Sequence, residues 1–288
     1  MSFEIADVRV NPGDSGFLVY DENVAILYDT GFAFTGYKLA ENIKNILKER
    51  KLDYIFLTHS HYDHALGSAY VKKCYPDTKV VAGEYASKIF LKDSAKKVMR
   101  ELDKSFAHKC GVTEYQDLTD SLSVDIAVKD GNIIKAGNKT FEVISLPGHT
   151  RCSVAFYCRE EKLLLSCETI GVFDGINDVV PSCLVGYEMT LDSIEKVKKL
   201  EIENILIPHF GLLDKDKTKL YLEKAKESLV STKDFIVDML KEEKTKEEII
   251  ETFKERFYND YVKEVYPVDA MELNTGIMID LIKREFEL

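Results

Sequence analysis

The sequence predicts an α/β protein that continues into an all-helical C-terminal region. Three observations support this prediction: strand-like and helix-like stretches alternate along the first third of the chain, a second β-rich region follows, and residues 212–288 contain no convincing strand. We therefore expect one domain over residues 1–211 and a helical C-terminal region over residues 212–288. A chain of 288 residues is long enough for a core of roughly 200 residues with a smaller appendage.

Short apolar runs bounded by turn residues indicate the strands of the first β-rich part. An amphipathic spacing over residues 36–50 predicts a helix among them, and residues 84–109 read as a polar helical stretch. The strands expected here are residues 17–20, 24–28, 54–57 and 79–82.

The second β-rich region has the same pattern of short runs and turns. Residues 191–200 form an amphipathic helix, and residues 204–207 are expected to be the last strand. The other strands expected here are residues 123–128, 133–134 and 139–145, and a hairpin of residues 154–158 and 162–165.

Three helices are predicted after residue 212, over residues 214–241, 245–258 and 269–286. Thr245 and Glu248 form a capping-box pattern, and Pro267 separates the last two helices. The apolar positions of this region are expected to be core or homodimer contacts rather than a membrane face. They are Ile236, Leu240, Ile249, Ile250, Phe253 and Phe257.

The composition disfavours nucleic-acid and membrane partners. The chain has 39 Lys or Arg and 50 Asp or Glu, so its formal charge of −11 repels phosphate backbones. No apolar run approaches the roughly 18–20 residues that span a bilayer, and the first residues have no signal-peptide pattern. We therefore expect a cytoplasmic protein whose six cysteines are reduced thiols and whose partner is a small-molecule substrate.

Five of the six histidines fall where a predicted strand passes into a loop. The run from His59 to His64 directly follows the strand 54–57. In an extended chain, residues two apart face the same side, so His59, His61 and Asp63 are expected to converge on one point. Imidazole nitrogens and a carboxylate suit zinc, iron or manganese. The alternative is a polar loop in which Asp63 only caps the helix that follows.

Three later positions repeat this design more weakly. His149 follows Pro147-Gly148, and His209 follows an apolar strand and Pro208, so each histidine is presented by a sharp turn. Glu168 follows the strand that ends near Leu165. Each of these three residues, taken alone, is typical of an ordinary surface position. They are candidate metal ligands only when they are considered together.

The run His59-Ser60-His61-Tyr62-Asp63-His64 resembles the HxHxDH signature of the metallo-β-lactamase-fold superfamily. Three other segments are similar to motifs of that family and occur in its order: Tyr28-Asp29-Thr30-Gly31, Pro147-Gly148-His149-Thr150 and Pro208-His209-Phe210-Gly211. The resemblance covers about residues 16–211. It implies a four-layer αβ/βα sandwich of two mixed β-sheets, with metals held by loops at one edge.

The resemblance also implies two divalent metal ions, with zinc favoured and iron or manganese as alternatives. One ion is expected on His59, His61 and His149. The other is expected on Asp63, His64 and His209, with a carboxylate and a water or hydroxide as bridges. Asp29 would accept a hydrogen bond from a ligand imidazole, or would be only a strand-end turn residue.

The bridging position is where this sequence departs from the family. The family usually has Gly-Asp there, and this chain has Cys167-Glu168. Glu168 keeps the carboxylate but adds one methylene, so the distance between the metals or the occupancy of their sites can differ from that in the family. Cys167 is expected to be a small packed residue, with a thiolate ligand as the alternative, and Cys152 stands where glycine is common.

By this resemblance the chain is expected to be a dinuclear metal-dependent hydrolase of a small ester, thioester, lactone or related substrate. A metal-bridging hydroxide would attack, and Asp63 would orient that nucleophile and shuttle its proton. The first alternative is a non-haem iron redox enzyme of the oxygen reductase or dioxygenase type. The second is a metal-retaining sensor or ligand-binding protein with little turnover.

Three further segments bear on the substrate. Thioesterases of the glyoxalase II type also carry a helical C-terminal region. Here that region has 14 Lys or Arg against 19 Asp or Glu from residue 214 onward, so it offers no obvious cationic clamp for an anionic glutathione tail. Residues 92–122 are expected to form a polar helical insertion, and residues 171–187 an irregular loop. Both are expected to shape the pocket, or else only to pack against the helical region or a second subunit.

Overall fold

The computed structural model describes residues 2–288. Their strands are β1 (Glu4–Asp7), β2 (Phe17–Tyr20), β3 (Ala25–Tyr28), β4 (Tyr54–Leu57), β5 (Lys79–Gly83), β6 (Ile126–Val128), β7 (Ile133–Ala136), β8 (Lys139–Ser145), β9 (Val154–Cys158), β10 (Leu163–Leu165), β11 (Val172–Phe173), β12 (Val179–Val180), β13 (Asn204–Ile207) and β14 (Gly211–Leu213). The helices are α1 (Gly36–Leu47), α2 (Tyr62–Ala65), α3 (Gly67–Cys74), α4 (Glu84–Ile89), α5 (Asp93–Lys109), α6 (Tyr187–Lys198), α7 (Lys215–Lys241), α8 (Lys246–Phe257), α9 (Asp260–Val265) and α10 (Val268–Glu285).

The first sheet contains six strands in chain order, from β1 to β6. The pairs among β1, β2 and β3 are antiparallel, and those from β3 to β6 are parallel. The second sheet has the order β14-β13-β10-β9-β8-β7, and only β10 and β13 pair in parallel. Both sheets are therefore mixed, as expected.

An aromatic core joins the two sheets face to face. Phe56 of β4 stacks on Phe156 of β9 with ring centroids 4.4 Å apart, and both side chains are fully buried. A second core lies between the first sheet and helices α1 to α5, and a third lies between the second sheet and helices α6 to α10. This is the four-layer αβ/βα arrangement, so the predicted fold class is confirmed.

The C-terminal helices bury their apolar side chains against the second sheet. Phe253 and Ile279 belong to the same buried cluster as Leu164 and Ile205 of that sheet. The predicted capping box of α8 is present, with Thr245 and Glu248 each bonding the backbone of the other. The division at residue 211 stays a prediction. Among residues 2–288, none of the helices combines the length and the hydropathy that a membrane-spanning segment requires.

Several short elements of the structure differ from the sequence-based predictions. The expectation that residues 204–207 are the last strand is wrong, because β14 pairs with β13 after a three-residue loop. Residues 171–187 are not wholly irregular, because β11 and β12 form a small hairpin there. β1 and α9 were also missed. Each has at most six residues, too few for a hydrophobic period to be recognised.

Candidate metal centre

The loop after β4 places four polar side chains at one edge of the first sheet. Leu57 ends the strand, the chain bends over residues 59–60, and α2 begins at Tyr62. The chain is therefore not extended as far as Asp63, and the expectation that His59, His61 and Asp63 share one face is wrong. His61 is the N-cap of α2, without a side-chain capping bond, so Asp63 is not a cap either.

The fold brings all seven predicted ligand side chains together in two groups. In each group one ligand atom per residue lies within 4.8 Å of the others. The first group combines the bend after β4 with the loops after β8 and β10, and the second combines α2 with the loop after β13. The groups are His59, His61, His149 and Glu168, and Asp63, His64 and His209.

Glu168 lies between the two groups. Its Oε2 atom is 2.9 Å from Nε2 of His149 and 3.3 Å from Nε2 of His64. Its Oε1 atom is 3.5 Å from Nε2 of His209. Burial by itself would raise the pKa of Glu168, but the adjacent His149, His209 and His59 hold that pKa well below its usual range. A carboxylate in this position can therefore contact cations in both groups.

The histidines of the second group aim lone pairs at each other. Nδ1 of His209 donates to the carbonyl oxygen of Gly13 at 2.8 Å, and Nδ1 of His64 donates to Oδ2 of Asp29, also at 2.8 Å. Both Nε2 atoms are then unprotonated in neutral rings. They face each other at 3.1 Å, a repulsive contact unless a proton or a metal cation lies between them. This donor set fits a divalent cation.

The pKa of His64 supports the same conclusion. Burial lowers that pKa, but the charges of Asp63 and Asp29 outweigh burial and raise it well above the usual value. The site around Nε2 of His64 therefore attracts positive charge. The same holds for His209. Burial lowers the pKa of this histidine, but Glu168 raises it by more, so the pKa lies above its usual value.

The first group offers neutral imidazoles. Burial and neighbouring histidines hold the pKa values of His59 and His61 well below the usual range. Nδ1 of His59 is 2.9 Å from Oγ1 of Thr58, which itself donates to Asp29. Nε2 of His59 is then unprotonated. It is buried, it accepts no hydrogen bond among residues 2–288, and it faces another acceptor, Oε2 of Glu168, at 3.3 Å. A buried orphan acceptor of this kind fits a metal ligand.

Asp29 connects the two groups from behind. Its carboxylate accepts from the backbone amide of Thr58 at 2.9 Å as well as from His64. It reaches them from a left-handed backbone conformation, with φ of +53°. The structure therefore places Asp29 behind a predicted ligand imidazole, the first of the two roles considered for it.

Several contacts of the site had no signal in the sequence. Oγ of Ser182 is 2.7 Å from Nδ1 of His149. The carbonyl of Gly13 and the guanidinium of Arg9 hold His209, although each lies about 200 residues away in the chain. Such partners are brought together only by the packing of the two sheets.

The cysteines near the site are packed residues. All six cysteines are free thiols. Cys167 is fully buried among apolar side chains, and burial raises the pKa of its thiol to about 12. The thiol of Cys152 is 3.3 Å from Oγ of Ser60. Neither residue belongs to the two ligand groups, which agrees with the packed role expected for Cys167.

Residues 92–122 and 171–187, the two segments expected near the pocket, differ in what they pack against. In residues 92–122 only α5 and one short 3₁₀ turn are helical, and Phe106 stacks on Phe32 at 4.6 Å. His108, the sixth histidine, is exposed on this helix. In residues 171–187, Phe173 and Val180 are buried in the core formed with the C-terminal helices, so plain packing describes them.

Comparisons with known proteins agree with this geometry. The sequence model described as the metallo-beta-lactamase superfamily matches residues 8–209. Glyoxylase B2 of Dictyostelium discoideum is 31% identical over 133 residues, which cover 46% of this chain and 41% of that protein. A hydroxyacylglutathione hydrolase of Francisella tularensis subsp. holarctica is 28% identical over 186 residues, which cover 64% of this chain and 58% of that protein. The matches thus span about half the length of these relatives.

A solved structure shows the same fold. A metallo-beta-lactamase family protein of Thermus thermophilus superposes with a TM-score of 0.60 at 19% identity. The superposition covers 94% of this chain and 88% of that one, so it extends into the C-terminal helices.

Proposed function

This chain belongs to the metallo-beta-lactamase superfamily, and from that premise we propose that it is a dinuclear metal-dependent hydrolase. The substrate would be a small ester, thioester, lactone or related compound. The observation that carries the proposal is the pair of opposed Nε2 lone pairs of His64 and His209, with the Glu168 carboxylate between this group and the other histidines. Such an arrangement suits two adjacent divalent cations, with zinc favoured because nitrogen ligands predominate.

The residues divide into holding and reacting roles. Two divalent cations, when bound, supply hydroxide near neutral pH and polarise the scissile carbonyl. His59, His64, His149 and His209 are buried and His61 is half-buried, and these histidines would only hold the ions, with Glu168 between them. The Asp63 side chain is 22% exposed, more than that of any other carboxylate in the cluster, so it can face both a nucleophile and the substrate. We assign Asp63 the proton transfer to the leaving group.

The relatives and the C-terminal charges both bear on the substrate class. Two of the relatives are named as a glyoxylase and a hydroxyacylglutathione hydrolase, so thioesters belong in the set to be tested. The acidic C-terminal region argues against an anionic glutathione tail, because it offers no obvious cationic clamp. A cytoplasmic location and a homodimer complete the proposal.

Elemental analysis of the purified protein, followed by activity assays, tests the assignment. We expect about two zinc ions per chain and activity on at least one member of a panel of esters, thioesters, lactones and phosphodiesters. Asp63→Ala and His61→Ala should abolish metal-dependent turnover. His108→Ala is the matched control, because this exposed histidine lies on α5 outside both groups.

Two outcomes would overturn the hydrolase proposal. Protein that binds none of zinc, iron or manganese would exclude a metal centre. Protein that binds iron, consumes oxygen and hydrolyses nothing in the panel would instead establish the redox alternative.

A further inference from the structure

The tip of the β13–β14 hairpin presents His209 from a strained backbone. Residues 208–210 form the loop, since Ile207 pairs with Gly211 across the hairpin. His209 has φ of +64°, in the left-handed region that residues with a side chain adopt far less readily than glycine does. A conformation of this kind persists only where its surroundings hold it in place.

The loop between β1 and β2 supplies those surroundings. Nη1 of Arg9 donates to the carbonyl oxygen of His209 at 2.5 Å and to that of Pro12 at 2.7 Å. The carbonyl of Gly13, in the same loop, accepts from Nδ1 of His209 at 2.8 Å. One loop thus holds both the main chain and the side chain of His209.

Arg9 is itself fixed in this position. Its Nε and Nη2 atoms donate to the two carboxylate oxygens of Asp7 at 2.9 and 2.7 Å. Its guanidinium lies 4.8 Å from the ring centroid of Phe17, and its side chain is only 15% exposed. Asn42 of α1 fastens the loop by donating to the carbonyl of Val8 at 3.0 Å. A planar fork of donors is needed for this set of contacts, and a lysine cannot reproduce it.

We propose that Arg9 is a positioning residue that sets the metal affinity of one subsite only, the one formed by Asp63, His64 and His209. The inference rests on the proposed metal centre. By holding the carbonyl of His209, Arg9 fixes the left-handed turn and therefore the position of Nε2 opposite His64.

The other subsite does not depend on this loop. The outer partners of its histidines are Thr58, behind His59, and Ser182, behind His149. Neither Arg9 nor Gly13 bonds any of these residues among the hydrogen bonds of residues 2–288. Loss of Arg9 should therefore separate the two metal affinities, whereas a general loss of stability should not.

The test is a Zn²⁺ titration of the full-length chain against a chromophoric chelator. In Arg9→Met and Arg9→Lys we expect one of the two Zn²⁺ ions to bind roughly 10- to 100-fold more weakly, the usual range for loss of an outer partner. The second ion should keep its wild-type affinity. Circular dichroism establishes that each variant is folded, and Arg9→Lys, which keeps the charge, serves if Arg9→Met is not.

Arg50→Met is the matched control. Nη2 of Arg50 also donates to a backbone carbonyl, that of Asp21, at 2.5 Å. Asp21 precedes β3, at the opposite end of that strand from Asp29. This variant is expected to bind both Zn²⁺ ions as the wild type does.

The outcomes separate this inference from the proposed function. Wild-type protein that binds neither Zn²⁺ nor, in the same titration, Fe²⁺ or Mn²⁺ would defeat both. If the wild type binds two ions, equal weakening of both ions in the Arg9 variants, or no weakening of either, would overturn the role of Arg9 and leave the metal centre intact.

Discussion

Asp29 accepts a hydrogen bond from Nδ1 of His64 at 2.8 Å, and it does so from a left-handed backbone conformation. The residue stands at the end of β3, where the chain leaves the sheet. Its backbone amide donates to the carbonyl of Phe56 in the neighbouring strand β4, so the aspartate is tied to the strand that leads into the histidine run. The two strand ends therefore orient His64, a proposed ligand, together.

Replacing Asp29 with asparagine tests this orientation. Asparagine tolerates the left-handed conformation, so the substitution removes the charge without straining the backbone. We expect roughly 10- to 100-fold weaker Zn²⁺ binding at the subsite of His64, measured by chelator titration. Asp130→Asn, at a surface ion pair with Lys196, should bind Zn²⁺ as the wild type does. Unchanged affinity in Asp29→Asn would show that this carboxylate does not support the ligand.

Glu168 provides a second test, through its charge and its length. Glu168→Gln keeps the shape but loses the charge that the surrounding histidines stabilise, so we expect a roughly 100-fold or greater loss of turnover and weaker binding of both ions. Glu168→Asp keeps the charge and should retain two ions. Elemental analysis and turnover on the best panel substrate give the result, with Glu41→Gln on the surface as control. Full activity in Glu168→Gln would rule out a bridging role.

Gly67 tests how closely the start of α3, which directly follows the His64-bearing helix α2, packs on the loop after β3. A Cβ atom at this position would lie 1.9 Å from the carbonyl oxygen of Thr30, in the loop that carries Asp29. We expect Gly67→Ala to lower the free energy of unfolding by roughly 3 kcal/mol, because backbone must move. In Gly276→Ala, in α10, the added Cβ would lie 3.0 Å from the flexible end of Lys246 and in ordinary contact with Ile250, at 3.8 Å from its Cδ1. This variant should be neutral or stabilising by up to about 1 kcal/mol. Denaturant unfolding of both variants measures the contrast, and equal stabilities would contradict it.

Asp103 gives a pH-dependent test. It is buried on α5, where burial raises its pKa to about 6, although Tyr115 and the amide of Ala33 donate to it. The native state therefore holds the proton more tightly than the unfolded state, whose pKa is near 3.8. This contribution to stability is complete below about pH 4 and is lost as the pH rises through 6.

The comparison with Asp103→Asn isolates that contribution, because the histidines titrate in both proteins. We expect the stability of the wild type relative to the variant to fall by roughly 2–3 kcal/mol between pH 4 and pH 7, measured by denaturant unfolding. If the stability of the wild type relative to the variant does not change with pH, burial does not raise the pKa of Asp103.

Elements with a clear hydrophobic pattern could be predicted from the sequence, and very short elements without one could not. The strand 54–57 is covered on both faces and reads as an unbroken apolar run, so its position was predictable. β14 has only three residues, and one of them, Leu212, is 45% exposed, so it showed no pattern. His59, His61 and Asp63 do not share one face because α2 begins at Tyr62. Side chains two residues apart point to the same side only in an extended chain, and the chain is helical at Asp63.

Short segments of the sequence are enough to identify the residue types that suit divalent metals, their positions at strand ends and the family that their order indicates. The way in which those residues are held depends on the folded chain. Arg9, Gly13 and Ser182 bond His209 and His149, two of the proposed ligands, from distant parts of the chain, and none of the three lies in a motif. The physical reason is that ligand identity is a local property of a short segment. Ligand orientation depends on hydrogen bonds that form only once the two sheets have packed.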